Sequence, residues 1–180
     1  RYNAGVCLLR LARYRESAHI FRELLPDCPG DADIYVNMGK IMERTNNPEN
    51  ARACFEKALE MDPMHAEAIC RLGLIHGKYY GDTQTALKLL QKAVEINDRI
   101  AEAHQGLGIC YHHLGDYDLA IEHLRQAVRV DSGNAAVHNH LGIMYLKVGA
   151  EDKAEEHFRM ALSINPDAKL RHENLWQMEE

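Results

Sequence analysis

Proline is scarce in this chain, with five in 180 residues, beside twelve glycines, three phenylalanines and a single tryptophan. A sequence so poor in proline and glycine is neither collagen-like nor a low-complexity linker. No apolar run approaches the roughly 20 residues that span a bilayer. Residues 1–20 alternate arginine with apolar side chains, unlike a cleavable signal. The five cysteines (Cys7, Cys28, Cys54, Cys70, Cys110) are odd in number and never fall as C-x-x-C, which disfavours a zinc site or a disulfide framework. Positive charge is not in excess either. Lysine and arginine total 21 against 27 acidic residues, a formal net charge of −6 with both signs interspersed. Bulk electrostatics therefore offers no grip for nucleic acid or an anionic membrane. What remains, 46% apolar and 27% charged, is the composition of an ordinary soluble domain. The expectation is a cytoplasmic protein with reduced thiols and no direct membrane insertion, peripheral to a membrane only through a protein partner. The chain opens on Arg1, already inside a helical pattern, and reads as a fragment of a longer protein.

The main signal is internal repetition. "LGICYHHLGDYDLA" at 107–120 returns as "LGIMYLKVGAEDKA" at 141–154, 34 residues on, and "MGKIMERTNNPENA" at 38–51 and "AGVCLLRLARYRES" at 4–17 share the phase. Gly5, Gly39, Gly73, Gly108 and Gly142 form one column. Ser17, Ala51, Ala86, Ala120 and Ala154 form another, and Ala58, Ala93, Ala127 and Ala161 a third, with Leu24 in the first unit. Between the last two runs a column of large residues: Phe21, Phe55, Leu90, Leu124 and Phe158. Small columns let two helix backbones approach, and the large column fills the adjoining hole. A mid-helix glycine costs about 1 kcal/mol of propensity. Packing offsets that cost here, because any side chain would push the second helix away. Each unit is therefore two antiparallel helices of about a dozen residues, about 20 Å long. "HLGDYD" at 113–118 supplies a helix-ending glycine and an aspartate cap, while Pro63 and Pro166 close units. The third unit carries one extra residue, expected as a lengthened turn near Tyr80 and Gly81.

The 34-residue period, the Leu-Gly pair, the tyrosines Tyr111 and Tyr145, the Gly-Asp-Tyr turn at 115–117, the alanine columns and the closing prolines resemble the tetratricopeptide repeat (TPR) family. Departures are His76 in the tyrosine column and Asp98 and Ser132 in the proline column. The resemblance implies an all-α solenoid, a right-handed superhelix of antiparallel helix pairs. It covers one domain over 1–180: a partial repeat at 1–31, repeats at 32–65, 66–100, 101–134 and 135–168, and a capping helix at 169–180. Trp176 stands there where a glycine would fall, which favours a cap over the alternative, the start of a sixth repeat.

In such a superhelix the first helix of each pair lines a concave groove. Residues four apart share a helix face, which sets Val36, Asn37, Lys40 and Arg44 on the groove in one repeat and Cys70, Arg71, Leu74 and Lys78 in the next. Gln105, Ile109 and His113 follow, then Asn139, His140, Ile143 and Lys147, with Tyr2, Val6, Leu9 and Arg10 in the first unit. Arg10, Arg44, Lys78, His113 and Lys147 share one column and make a basic ridge, which points to an acidic peptide or helix as partner. The competing reading is that these side chains only solvate and charge-complement helix ends.

Other chemistries fit less well. Only Asn37 and Arg71 match a five-residue clamp for chaperone C-termini, and Glu67 would repel a carboxylate. His104, His138 and His172 share one column and His123 and His157 another. Members of one column lie about 10 Å apart, too far for a single ion. His112, His113 and His140 alone might converge on a metal, with polar lining as the simpler reading, so no metal or cofactor is expected. Catalytic signatures are lacking, and Cys7 and Cys110 fall in a packing column. The expected function is a non-enzymatic scaffold that binds a protein partner in the groove and organises an assembly. Homo-oligomerisation is one route, and bacterial organelles or pili are the plausible settings. The alternative is the regulatory arm of a larger enzyme such as a glycosyltransferase.

Overall fold

A computed structural model of the chain describes residues 1–166, so the expected capping helix at 169–180 lies outside the described residues. Within them the chain is all-α, ten helices with no strand. Arg1–Gly81 and the described residues from Asp82 onward form two compact units.

The first unit holds α1 (Tyr2–Arg10), α2 (Tyr14–Leu24), α3 (Ala32–Arg44), α4 (Pro48–Met61) and α5 (Ala66–Tyr80). Here α1 packs on α2 and α3 on α4, and α2 and α4 each pack on the helix that follows. The second unit holds α6 (Thr83–Ile96), α7 (Ala101–Leu114), α8 (Tyr117–Val130), α9 (Ala135–Lys147) and α10 (Glu151–Ile164). Within it α7 packs on α8 and α9 on α10, with α6 against α7 and α8 against α9.

Side-chain caps start the helices where the sequence places short polar residues. Asp31, Asn47, Asp82, Asp116 and Asn134 each accept a backbone N–H from the first turn. Gly115 and Gly149 stop α7 and α9 in the left-handed region, at φ 80° and 73°. Ala12 and Asn46 take the same conformation at the equivalent turns. The third unit's extra residue is not in its turn. Gly81 is the left-handed residue there, and α5 runs to 15 residues where α3 and α9 have 13, so the insertion is absorbed as added helix.

The columns meet as their sizes require. A Cβ on Gly39 would lie 2.5 Å from the Phe55 ring, and one on Gly142 would lie 2.4 Å from Phe158. Phe21, Phe55 and Phe158 are fully buried, each worth about 1.5–3 kcal/mol of apolar burial. Where serine replaces alanine, at Ser17, its buried hydroxyl donates to the Gly5 carbonyl at 2.8 Å, so the polar atom is satisfied. No helix of the described residues is long and apolar enough to cross a membrane.

Candidate functional site

In the first unit, α1, α3 and α5 border a cavity of about 510 Å3. Val6, Leu9 and Tyr14 supply its apolar lining, and Arg10, Lys40, Arg44 and Arg71 supply cations. Four of these helical residues, Asn37, Lys40, Glu43 and Arg44, come from α3 alone, because positions three and four apart share a helix face.

The charges form a network. Glu67 accepts from Lys40 at 2.8 Å and lies 3.6 Å from Arg71, whose guanidinium is 3.8 Å from Glu43. Glu43 is only 19% exposed. Burial pushes its carboxyl above the usual range, and Arg71, then Lys78, Arg44 and Lys40, pull it back without overcoming the desolvation. Four cationic side chains thus line the cleft against one carboxylate, Glu43, with Glu67 beside it, and the cleft is positive in a chain that is acidic overall. Asn37 is buried, and its amide donates to the Tyr2 hydroxyl and the Asp33 carbonyl, both at 2.8 Å. The bond to Tyr2 joins α1 to α3 at the wall of the cleft, while the bond to Asp33 stays within α3.

Two groove positions from the sequence pattern are corrected here. Val36 and Cys70 are each 1% exposed and lie in the helix packing, out of reach of a groove ligand. Leu74 is half-buried and Lys78 exposed, its ammonium 4.8 Å over the Tyr79 ring. Glu43 was missing from the pattern. Its position three residues after Lys40 is the signal that places it on the same face.

In the second unit Gln105, Ile109, Asn139, His140 and Ile143 are half-buried, and His113 and Lys147 are exposed. His112 stacks on His113 with ring centres 5.5 Å apart. Burial lowers the pKa of His140, with a further push from His112; burial also lowers that of His112, followed by His113 and Lys147. Burial thus disfavours the charged form of both His112 and His140. Among the described residues no three His, Cys, Asp or Glu side chains are grouped closely enough to hold a metal ion.

Residues 32–65, 66–133 and 99–167 match the sequence profile of the tetratricopeptide repeat. The human protein O-mannosyl-transferase TMTC3 is 24% identical over 88 residues, 49% of this chain and 10% of that protein, so the chain spans about a tenth of this relative's length. Among solved structures, TTC0263, a thermophilic TPR protein in Thermus thermophilus, superposes with a TM-score of 0.75 at 22% identity, covering 98% of this chain and 95% of that one. YrrB, described as a TPR protein with an unusual peptide-binding site, superposes with a TM-score of 0.66 at 25% identity, covering 95% of this chain and 88% of that one.

Proposed function

We propose, from the premise that this chain belongs to the tetratricopeptide repeat family, that it is an interaction scaffold whose first-unit cleft receives an acidic peptide or helix of a protein partner. The observation that carries this reading is the cleft itself. It is a cavity of about 510 Å3 with an apolar floor and an excess of cations, and it combines the two features that hold a peptide with alternating acidic and apolar side chains. The peptide-binding site in the description of YrrB supports the same role. Arg10 and Arg44 are the exposed anchors, while Lys40 and Arg71 are already engaged by Glu67 and set the shape of the wall. The scaffold works in the cytoplasm, where cysteines without a disulfide framework stay reduced. It organises a multi-protein assembly of bacterial organelle or pilus type, with self-association of copies as one means.

The test is fluorescence anisotropy with a labelled Glu- and Leu-rich peptide of about a dozen residues, at low and at physiological salt. Reversal of the two anchors, Arg10→Glu with Arg44→Glu, is expected to weaken binding about tenfold and to flatten its salt dependence. Unchanged affinity with an unchanged salt slope refutes the acidic-partner reading. Light scattering on the full chain tests self-association separately. The match to an O-mannosyl-transferase favours a second reading, the helical arm of a larger glycosyltransferase. A reading frame that continues into a catalytic domain supports that reading over the first.

A further inference from the structure

The second unit contains a device that the cleft does not use. His104 of α7 faces His123 of α8 with Nδ1 to Nδ1 at 3.3 Å, and one repeat on, His138 of α9 faces His157 of α10 at 3.0 Å. The far nitrogens repeat as well. His104 Nε2 lies 3.0 Å from the Asp98 carbonyl, and His138 Nε2 lies 3.3 Å from that of Ser132. A carbonyl only accepts, so each Nε2 carries a hydrogen, and in the neutral ring this leaves Nδ1 as a bare acceptor. The opposing Nδ1, on His123 or His157, must then donate. Tyr111 stacks on His123 at 5.4 Å and 7°, and Tyr145 on His157 at 5.4 Å and 8°, which fixes the outer rings. The ring centres are 5.6 Å and 5.3 Å apart, so in each pair the rings meet head-on, as a hydrogen bond requires. Two ligands of one ion converge on it at an angle instead.

We infer that each histidine pair is a proton-counting latch, which closes α7 on α8 and α9 on α10 through one N–H···N bond and opens when a second proton enters the pair. The first extra proton goes to the free Nε2 of the outer ring; the bond stays, now donated by a cation. The second has only the facing nitrogen left. It sets two N–H groups and two positive charges against each other at about 3 Å.

The surroundings work in the same direction. Burial lowers the pKa of His123 and of His157, and the partner ring lowers it further in each case. Glu122 opposes this on α8 and Glu156 on α10, while Arg125 of α8 adds to the effect at His157. Gln91 of α6 touches the first pair only through the Tyr111 hydroxyl, and Lys153 touches the second only through the Tyr145 ring. A histidine whose folded pKa is lowered binds protons more readily when unfolded. Its stabilising contribution is thus complete above about pH 6.5 and is lost as pH falls through the folded values. The equivalent columns of the two preceding repeats hold Tyr35 with Cys54 and Ile69 with Leu89, which do not titrate in this range.

Two measurements on the full chain decide it. Nitrogen-15 spectra of the histidine rings from pH 8 to 4.5 are expected to show each pair taking up protons in two separate steps and losing its bond only at the second, with Nε2–H the neutral form of His104 and His138. Four rings titrating singly and independently overturn the latch. Melting curves at pH 7.5 and 5 should fall by several degrees more for the wild type than for His104→Ile with His123→Leu, which installs the third repeat's residues. The same acid loss in that variant overturns it, as does zinc stabilisation at pH 7.5 that disappears with the pair. If the variant does not fold, the ring titration of the unaltered chain decides alone.

Discussion

Gly142→Ala is a severe test of the packing argument, because propensity and packing predict opposite signs. In an exposed helix the change stabilises by about 1 kcal/mol. Here a Cβ would sit 2.4, 2.5 and 2.7 Å from three atoms of the Phe158 ring, where carbon contacts are favourable only near 3.5–4.0 Å. Phe158 is fully buried and offers a stiff ring where a long side chain would offer a movable end. Relief therefore needs α9 and α10 to part by about an ångström, and overpacking of this kind costs about 1–3 kcal/mol. With contacts as short as 2.4 Å the upper part of that range applies, about 2–3 kcal/mol, and subtracting the propensity gain leaves a net loss of about 1–2 kcal/mol, or a melting point lower by about 2–8 °C. Urea unfolding at a common m-value measures it. Gly5→Ala should cost less, since its nearest contact, 2.9 Å to the ring tip of Phe21, is looser. In a Phe158→Ala background the ring is gone, and Gly142→Ala should become neutral or stabilising, a direct readout of the coupling. A Gly142→Ala protein as stable as wild type, or an equal loss in both backgrounds, refutes the reasoning.

Glu43→Gln should leave the protein as stable as wild type at pH 7 or more so. Burial raises this carboxyl's pKa, so the folded form holds its proton more tightly than the unfolded chain. Its contribution is favourable below the unfolded value and is lost as pH rises through the folded one. Urea midpoints should decline less between pH 4.5 and 7 in the variant, and an identical decline refutes this. Cys110 is 4% exposed and burial pushes its thiol up to about 11, so a maleimide should label the exposed Cys7 and Cys28 first and reach Cys110 only on unfolding. Mass spectrometry of the labelled peptides gives the order. Asn134→Ala removes the acceptor for the Ala136 and Val137 N–H groups and should cost about 1 kcal/mol by urea unfolding.

The difference between what the sequence disclosed and what it hid follows from how many sides of each helix are covered. The second helices of the repeats bury one stripe: Ala51, Phe55 and Ala58 in α4, and Ala154, Phe158 and Ala161 in α10. A stripe of that kind is what spacing by three and four detects, and the small and large columns read from the sequence are these residues. First helices are covered on more than one side. In α3 the buried set is Ile34, Val36, Asn37, Gly39 and Ile41, and in α5 it includes Ala68, Ile69 and Cys70 in succession. No single stripe separates groove from core on such a helix, which is why a spacing of four set the buried Val36 and Cys70 on the groove and passed over Glu43. The histidine columns were visible, yet their facing was not, because a column records what recurs along the stack and not what lies across it. A trace was there to be read. His104 and His123 are separated by 19 residues, and so are His138 and His157. A polar pair that keeps its separation from one repeat to the next is under a constraint that joins its two helices, so in repeat proteins the offsets between columns carry contact information that the columns alone lack.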